Sequence, residues 1–124
     1  MATPDRRIVL STLWIFVMFN YLYADILMML LNPAIYQKAA AQMTGPVVLG
    51  FAVLMEIPIL MILLSRVLRY RANRWANIIA GAESTVFAAF TMSPKMPSYY
   101  LLFSSIEIAC TLFIVWFAWT WREA

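Results

Sequence analysis

The chain has no histidine, a single cysteine and only three glycines, and 12% of its residues are charged. Without histidine it lacks the usual ligand for haem and zinc, the usual general base and the two histidines of ordinary di-iron bundles. The lone Cys110 sits in an apolar run, which excludes an intrachain disulfide framework and any C-x-x-C redox or zinc motif. What remains is oil: 65% of the 124 residues are hydrophobic, whereas soluble domains average about half apolar and a quarter charged. The lipid bilayer is therefore the expected solvent. The net charge of +3 calls for no nucleic acid.

A spanning helix needs roughly 20 mostly apolar residues, and four stretches qualify: about 8–31, 46–68, 75–93 and 98–121. The fold class expected is all-α, a polytopic four-transmembrane-helix bundle forming one domain over residues 1–124. The first stretch follows Arg6 and Arg7 as a signal sequence would, but it exceeds the roughly 7–15 residue core of a cleaved signal, so it reads as a retained span. Asn32-Pro33 has the form of an N-cap and first helical residue. It would open a short helix through Met43 before Gly45-Pro46 starts the second span. Ile35, Tyr36, Ala39, Ala40 and Met43 would share one face of that linker, as in a helix lying on the membrane surface; an irregular loop is the competing reading.

Orientation follows from basic residues. Arg6, Arg7, Arg66, Arg69, Arg71, Arg74 and Arg122 fall on one side of such a bundle, and only Lys38 and Lys95 on the other. Both termini are thus expected in the cytoplasm. Trp14, Trp75, Trp116, Trp119 and Trp121 gather toward that face as interfacial anchors, with Tyr36, Tyr99 and Tyr100 at the outer one.

Asp25, Glu56, Glu83 and Glu107 place one acid in each of the four stretches. At about 1.5 Å per residue, Glu56 and Glu83 fall near the midplane, Glu107 about 4 Å outward and Asp25 about 8 Å outward. A charged carboxylate at the bilayer centre costs about 2.5–3.5 kcal/mol on insertion scales, so all four are expected to face the interior or a wet cavity. Four close carboxylates cannot all stay ionised without compensation, and the spans supply no lysine or arginine at that depth. Protons, a metal ion or an amine-bearing ligand are the candidates. Tyr21, one turn before Asp25, Asn77 on the third stretch, and Tyr100, in a stripe with Ser104, Glu107 and Thr111, are expected to orient what binds. An all-carboxylate metal site built from Asp25, Glu56, Glu83 and Glu107 would select hard ions such as magnesium, calcium or manganese.

Pro58 removes the helical bond to the Leu54 carbonyl, so a kink and a free acceptor are expected beside Glu56. Ala76, Ala80 and Ser84, with Asn77, Gly81 and Thr85, give the third stretch two small or polar lines suited to central packing. Ala24-Asp25 is echoed by Ala82-Glu83, and Met55-Glu56-Ile57 by Ile106-Glu107-Ile108. As a two-plus-two repeat, this would bring the acids together on an axis along the membrane normal. The nine methionines lack the dense spacing of a soft copper site and read as packing filler.

Leu13-Trp14, Met18-Phe19, Tyr23 and Asp25, then Ile57-Pro58, Asn73-Arg74, Asn77-Ile78, Glu107 and Ala118-Trp119-Thr120-Trp121 resemble a family of short bacterial four-span inner-membrane proteins grouped as a domain of unknown function. The resemblance covers most of the chain and implies a fold and a bacterial inner membrane, without an activity or a functional residue. In size and span count the chain is also similar, more weakly, to DoxX-type membrane proteins. Small multidrug transporters have four spans and a glutamate in the first; here that helix has Asp25 near its outer end, and the basic bias opposes dual topology.

The leading expectation is a small membrane binding or transport protein whose carboxylate layer holds a cation, a proton or a small cationic or lipophilic ligand. A membrane enzyme using the same acids on a lipophilic substrate is the alternative, and a non-catalytic accessory subunit is the third. The sequence names no cofactor. Four short helices enclose little volume, so transport would be easier to build in a homo-oligomer.

Overall fold

A computed structural model describes residues 5–92 and 94–122. Among the described residues there is no strand, and five helices follow one another: α1 (Arg6–Leu31), α2 (Pro33–Ala41), α3 (Gly45–Val67), α4 (Tyr70–Thr91) and α5 (Ser98–Trp119). Local chemistry sets several boundaries. Asp5 caps α1 by accepting from the Arg7 amide, and Thr44 caps α3 by accepting from the Val47 amide. Pro33 occupies the first turn of α2, where its missing N–H has no cost. Asn32 precedes it as expected, but its side chain makes no cap bond; its amide oxygen accepts from the Tyr99 hydroxyl instead. The short helix of the linker is formed, and none of its residues is buried.

The four long helices close a ring in which α1 packs on α3 and α5, and α4 packs on α5 and α3. Three of them turn a line of residues inward in steps of three and four: Leu10, Trp14, Val17, Tyr21, Ala24 and Met28 on α1; Asn73, Asn77, Ala80, Ser84 and Ala88 on α4; and Ser104, Glu107, Thr111, Ile114 and Ala118 on α5. That spacing is the seam of left-handed helix packing. The α4–α5 contact is the most extensive. It closes over Gly81, where an added Cβ would lie 2.7 Å from Val115 Cγ2 and 3.3 Å from the Thr111 carbonyl.

Among the described residues three helices, not four, are long and apolar enough to cross a membrane: α1, α3 and α5. The helix expected over 75–93 exists as α4, but it begins earlier, at Tyr70, and carries Arg71, Asn73, Arg74, Asn77, Glu83, Ser84 and Thr85. Its polarity is not spread round the helix: Asn73, Asn77 and Ser84 are buried, while Ile79, Val86 and Phe90 are exposed.

The end of the ring where α1 begins and α5 stops is stitched by arginines. Arg6 Nη1 donates to the Phe117 carbonyl at 2.7 Å and to Thr120 Oγ1 at 3.2 Å. Arg74 donates to the carbonyls of Ala118 and Trp119 at 3.1 and 2.9 Å while lying against the rings of both Trp75 and Trp119. These carbonyls are acceptors that the last turn of a helix leaves open, and a cation there also suits the helix dipole. The arginines read from sequence as topology markers thus also finish α5.

Candidate functional site

Trp14, expected as an interfacial anchor, is fully buried instead. Its indole Nε1 donates to Asn77 Oδ1 at 2.7 Å, and the same oxygen accepts from Ser65 Oγ at 3.3 Å. Asn77 Nδ2 donates to the Asn73 carbonyl and to Asn73 Oδ1, and Asn73 Nδ2 donates to the Ser65 carbonyl. Asn77 therefore spends its whole amide joining α1, α3 and α4, and it lies six residues before Glu83, about 9 Å along the helix. It is a clasp, not a ligand-orienting group. Asn77→Leu should lower stability by about 1–3 kcal/mol, because the Trp14 N–H and the Ser65 hydroxyl lose their acceptor in a dry interior. Thermal unfolding of the purified variant checks this; unchanged unfolding would refute the clasp.

The acids do not all turn inward. Glu107 alone is buried, at 3% exposure; Glu83 is half-buried, and Asp25 and Glu56 are exposed. Glu56 departs furthest from expectation. The buried residues of α3 are Pro58, Met61 and Ser65, and at 100° per residue Glu56 lies half a turn from Ser65. The paired motifs of the apparent repeat consequently occupy unlike settings, Glu107 inside and Glu56 outside. Among the described residues no three histidine, cysteine, aspartate or glutamate side chains are grouped so as to hold a metal ion, so Asp25, Glu56, Glu83 and Glu107 are not assembled as a metal cage.

A smaller constellation is assembled. Tyr21, buried on α1, reaches the Ser84 carbonyl of α4 at 3.5 Å, and it lies within electrostatic reach of Glu107, Glu83, Tyr100 and Asp25. Asp25 is the ionisable neighbour that acts on Glu107, and both act on Tyr100, which also lies near Thr91. Ser84 Oγ donates to Glu83 at 3.3 Å. Helices α1, α4 and α5 thus bring five of the seven residues singled out from sequence into one neighbourhood and leave out Glu56 and Asn77.

Within that neighbourhood one atom lacks a partner. Glu107 Oε1 is buried without a hydrogen bond, although buried polar atoms are nearly always satisfied. Below it Thr111 Oγ1 bonds to the Glu107 and Ile108 carbonyls and to Thr85 Oγ1, so the threonines are occupied with their own helices and with each other. An unpaired carboxyl oxygen on a residue within electrostatic reach of Asp25, Tyr21 and Tyr100 is an acceptor open to a donor.

Glu83 also lines a second feature, an open groove of about 470 Å³ between α3 and α4 walled by Leu54, Ala82, Val86, Phe87 and Phe90. Pro58 lies inside α3, which runs through it as a continuous helix. The proline leaves the Leu54 carbonyl without its usual helical donor. Sequence patterning gave no sign of this groove, because its apolar residues are indistinguishable from any lipid-facing set.

No curated protein and no solved structure matches the chain, and the likeness to DoxX-type proteins has no counterpart in these comparisons. A family pattern does match, over residues 2–124. The chain belongs to the family described as "Family of unknown function (DUF6326)".

Proposed function

We propose that the chain is a small binding or transport protein of the bacterial inner membrane in which α4 crosses as a fourth span, both ends of the bundle's chain face the cytoplasm, and Glu107 with Asp25 takes a proton, a cation or an amine-bearing ligand. The inward set of polar residues on α4 supports the fourth span: averaged hydropathy counts Asn73, Asn77 and Ser84, yet lipid would meet Ile79, Val86 and Phe90. The seven-to-two distribution of basic residues supports the orientation. The observation that carries the binding reading is Glu107 itself, buried with an unpaired oxygen beside a second acid and two tyrosines. Such a site favours a donor that brings positive charge.

The test is thermal unfolding of detergent-purified protein across a panel of monovalent ions, divalent ions and alkylamines. A ligand present at 100 times its Kd should stabilise by about 2.7 kcal/mol. Glu107→Gln should keep the fold and lose the shift. A shift unaltered in Glu107→Gln would remove Glu107 from the site.

A membrane enzyme acting on a lipophilic substrate is the second reading, favoured by the apolar groove with Glu83 in its wall. There Glu83 would serve as the acid–base group. Stabilisation by long-chain but not short-chain amines or alcohols, lost in Glu83→Gln and kept in Glu107→Gln, would select it. No shift with any compound would leave the role of accessory subunit.

A further inference from the structure

Glu56 is exposed on a helix whose other outward residues, apart from Arg66 in its last turn, are all apolar or glycine. Leu49, Val53, Leu60, Leu63 and Val67 are exposed on the same side, and with Glu56 they run in steps of four, three, four, three and four. That is the a/d seam of a heptad repeat, and it lies opposite the face that α3 turns toward α1 and α4. Lipid tails cover five of the six residues well. They offer nothing to a carboxyl group, and this one cannot escape: Gly45 and Val67 are each eleven residues away, about 16 Å, far beyond the reach of a glutamate side chain toward the headgroups.

We propose that this seam is the interface of a parallel homodimer in which Glu56 hydrogen-bonds the partner's Glu56 through a shared proton. Three features select a second copy of the chain as the occupant. The three-four spacing is the geometry in which two identical helices interlock at a shallow left-handed angle. The basic bias gives every copy the same orientation, a step that rests on the topology proposed above; the two-fold axis then runs along the membrane normal and like residues meet in register. A carboxylic acid and a carboxylate are donor and acceptor to each other, so the group that excludes lipid recruits its own kind. A single polar residue in an otherwise apolar seam also fixes register and partner number.

The test uses full-length protein in phospholipid vesicles, in a Cys110→Ser background, with single cysteines at positions 49, 53, 60 and 63, and at the lipid-exposed controls Leu102 and Leu112 of α5. Oxidation should give disulfide-linked dimers at all four seam positions and little at the controls. Linkage of position 53 to position 60 when the two single-cysteine proteins are mixed, with little linkage of any position to itself, is the mark of an antiparallel pair and would overturn the parallel dimer together with the orientation it rests on. Linkage equal at seam and control positions would overturn the seam alone. In lipid-dilution measurements by energy transfer, Glu56→Gln should dimerise as the parent does, and Glu56→Val should need about tenfold more protein per lipid. Equal association of Glu56→Val and parent would overturn the role of the acid pair.

Discussion

Gly81→Leu should abolish the folded, monodisperse protein in detergent, and the loss should be reversible in part by shortening Val115. At Gly81 a single added carbon already meets Val115 Cγ2 at 2.7 Å, and behind it the Thr111 carbonyl at 3.3 Å. Leucine adds three more carbons to that contact. Valine cannot readily turn aside, because a β-branched residue in a helix is nearly confined to one rotamer, and the carbonyl belongs to the α5 backbone. Inserting extra carbons into a well-packed interior commonly costs about 1–3 kcal/mol; here the insertion falls in the most extensive helix contact of the molecule. Gly81→Ala is the graded version. It gains about 1 kcal/mol of helix propensity, so a net loss measures the steric conflict against a known opposing term. The double variant Gly81→Ala, Val115→Ala should recover more than the two single effects allow, a coupling of favourable sign. Strict additivity would mean that Gly81 is not where α4 and α5 meet.

Glu107→Met should do the opposite and raise stability by about 1–3 kcal/mol, while erasing any ligand-dependent shift. The carboxyl group is buried with one oxygen unpaired, a condition that costs about that much for a polar group and more for a charged one. Methionine has nearly the same volume and length, has no polar oxygen and adapts to irregular gaps. Replacing a strained functional group by an apolar one of equal shape characteristically trades activity for stability. Denaturation of the two proteins without ligand, followed by repetition with the stabilising ion or amine, reads both halves. A less stable Glu107→Met protein would show that the carboxyl is structural, and the site would then lose its central member.

The two predictions also mark what could be read from the letters. The line of Ser104, Glu107 and Thr111 on α5, the small and polar lines of α4 and the proximity of Tyr21 to Asp25 are all visible as spacings, because polar residues on an apolar helix announce its inward face. α3 gives no such announcement. Apart from Glu56, Ser65 and Arg66 it is apolar all the way round, so its rotation is decided by Pro58, Met61 and Ser65 fitting against α1 and α4, and Glu56 goes where the rest of the helix takes it. The rule that an acid in a span faces inward holds for a chain alone in lipid and fails where another surface can meet it. Asn77 misled for a related reason. Its spacing from Glu83 says that both lie on α4, but the acceptor for the Trp14 indole was sixty-three residues away in sequence, a pairing no local pattern contains. The capping of α5 by Arg6 and Arg74 is hidden in the same way, since positive charge at that end is already explained by topology.

Those arginines bear on how the protein is made. Arg6 is bonded to carbonyl and hydroxyl oxygens of Phe117 and Thr120, 111 and 114 residues further along the chain, and Trp14 to an amide 63 residues further on. At about 5–20 residues per second of synthesis, the first helix to leave the ribosome waits roughly 6–22 s for the carbonyl that receives its arginine. During that interval α1 and α3 form an open pair, with the Trp14 indole and the Ser65 hydroxyl unanswered until α4 arrives. Assembly of this bundle is therefore completed by its last helix, whose carbonyls receive the arginines at the end where the first helix begins.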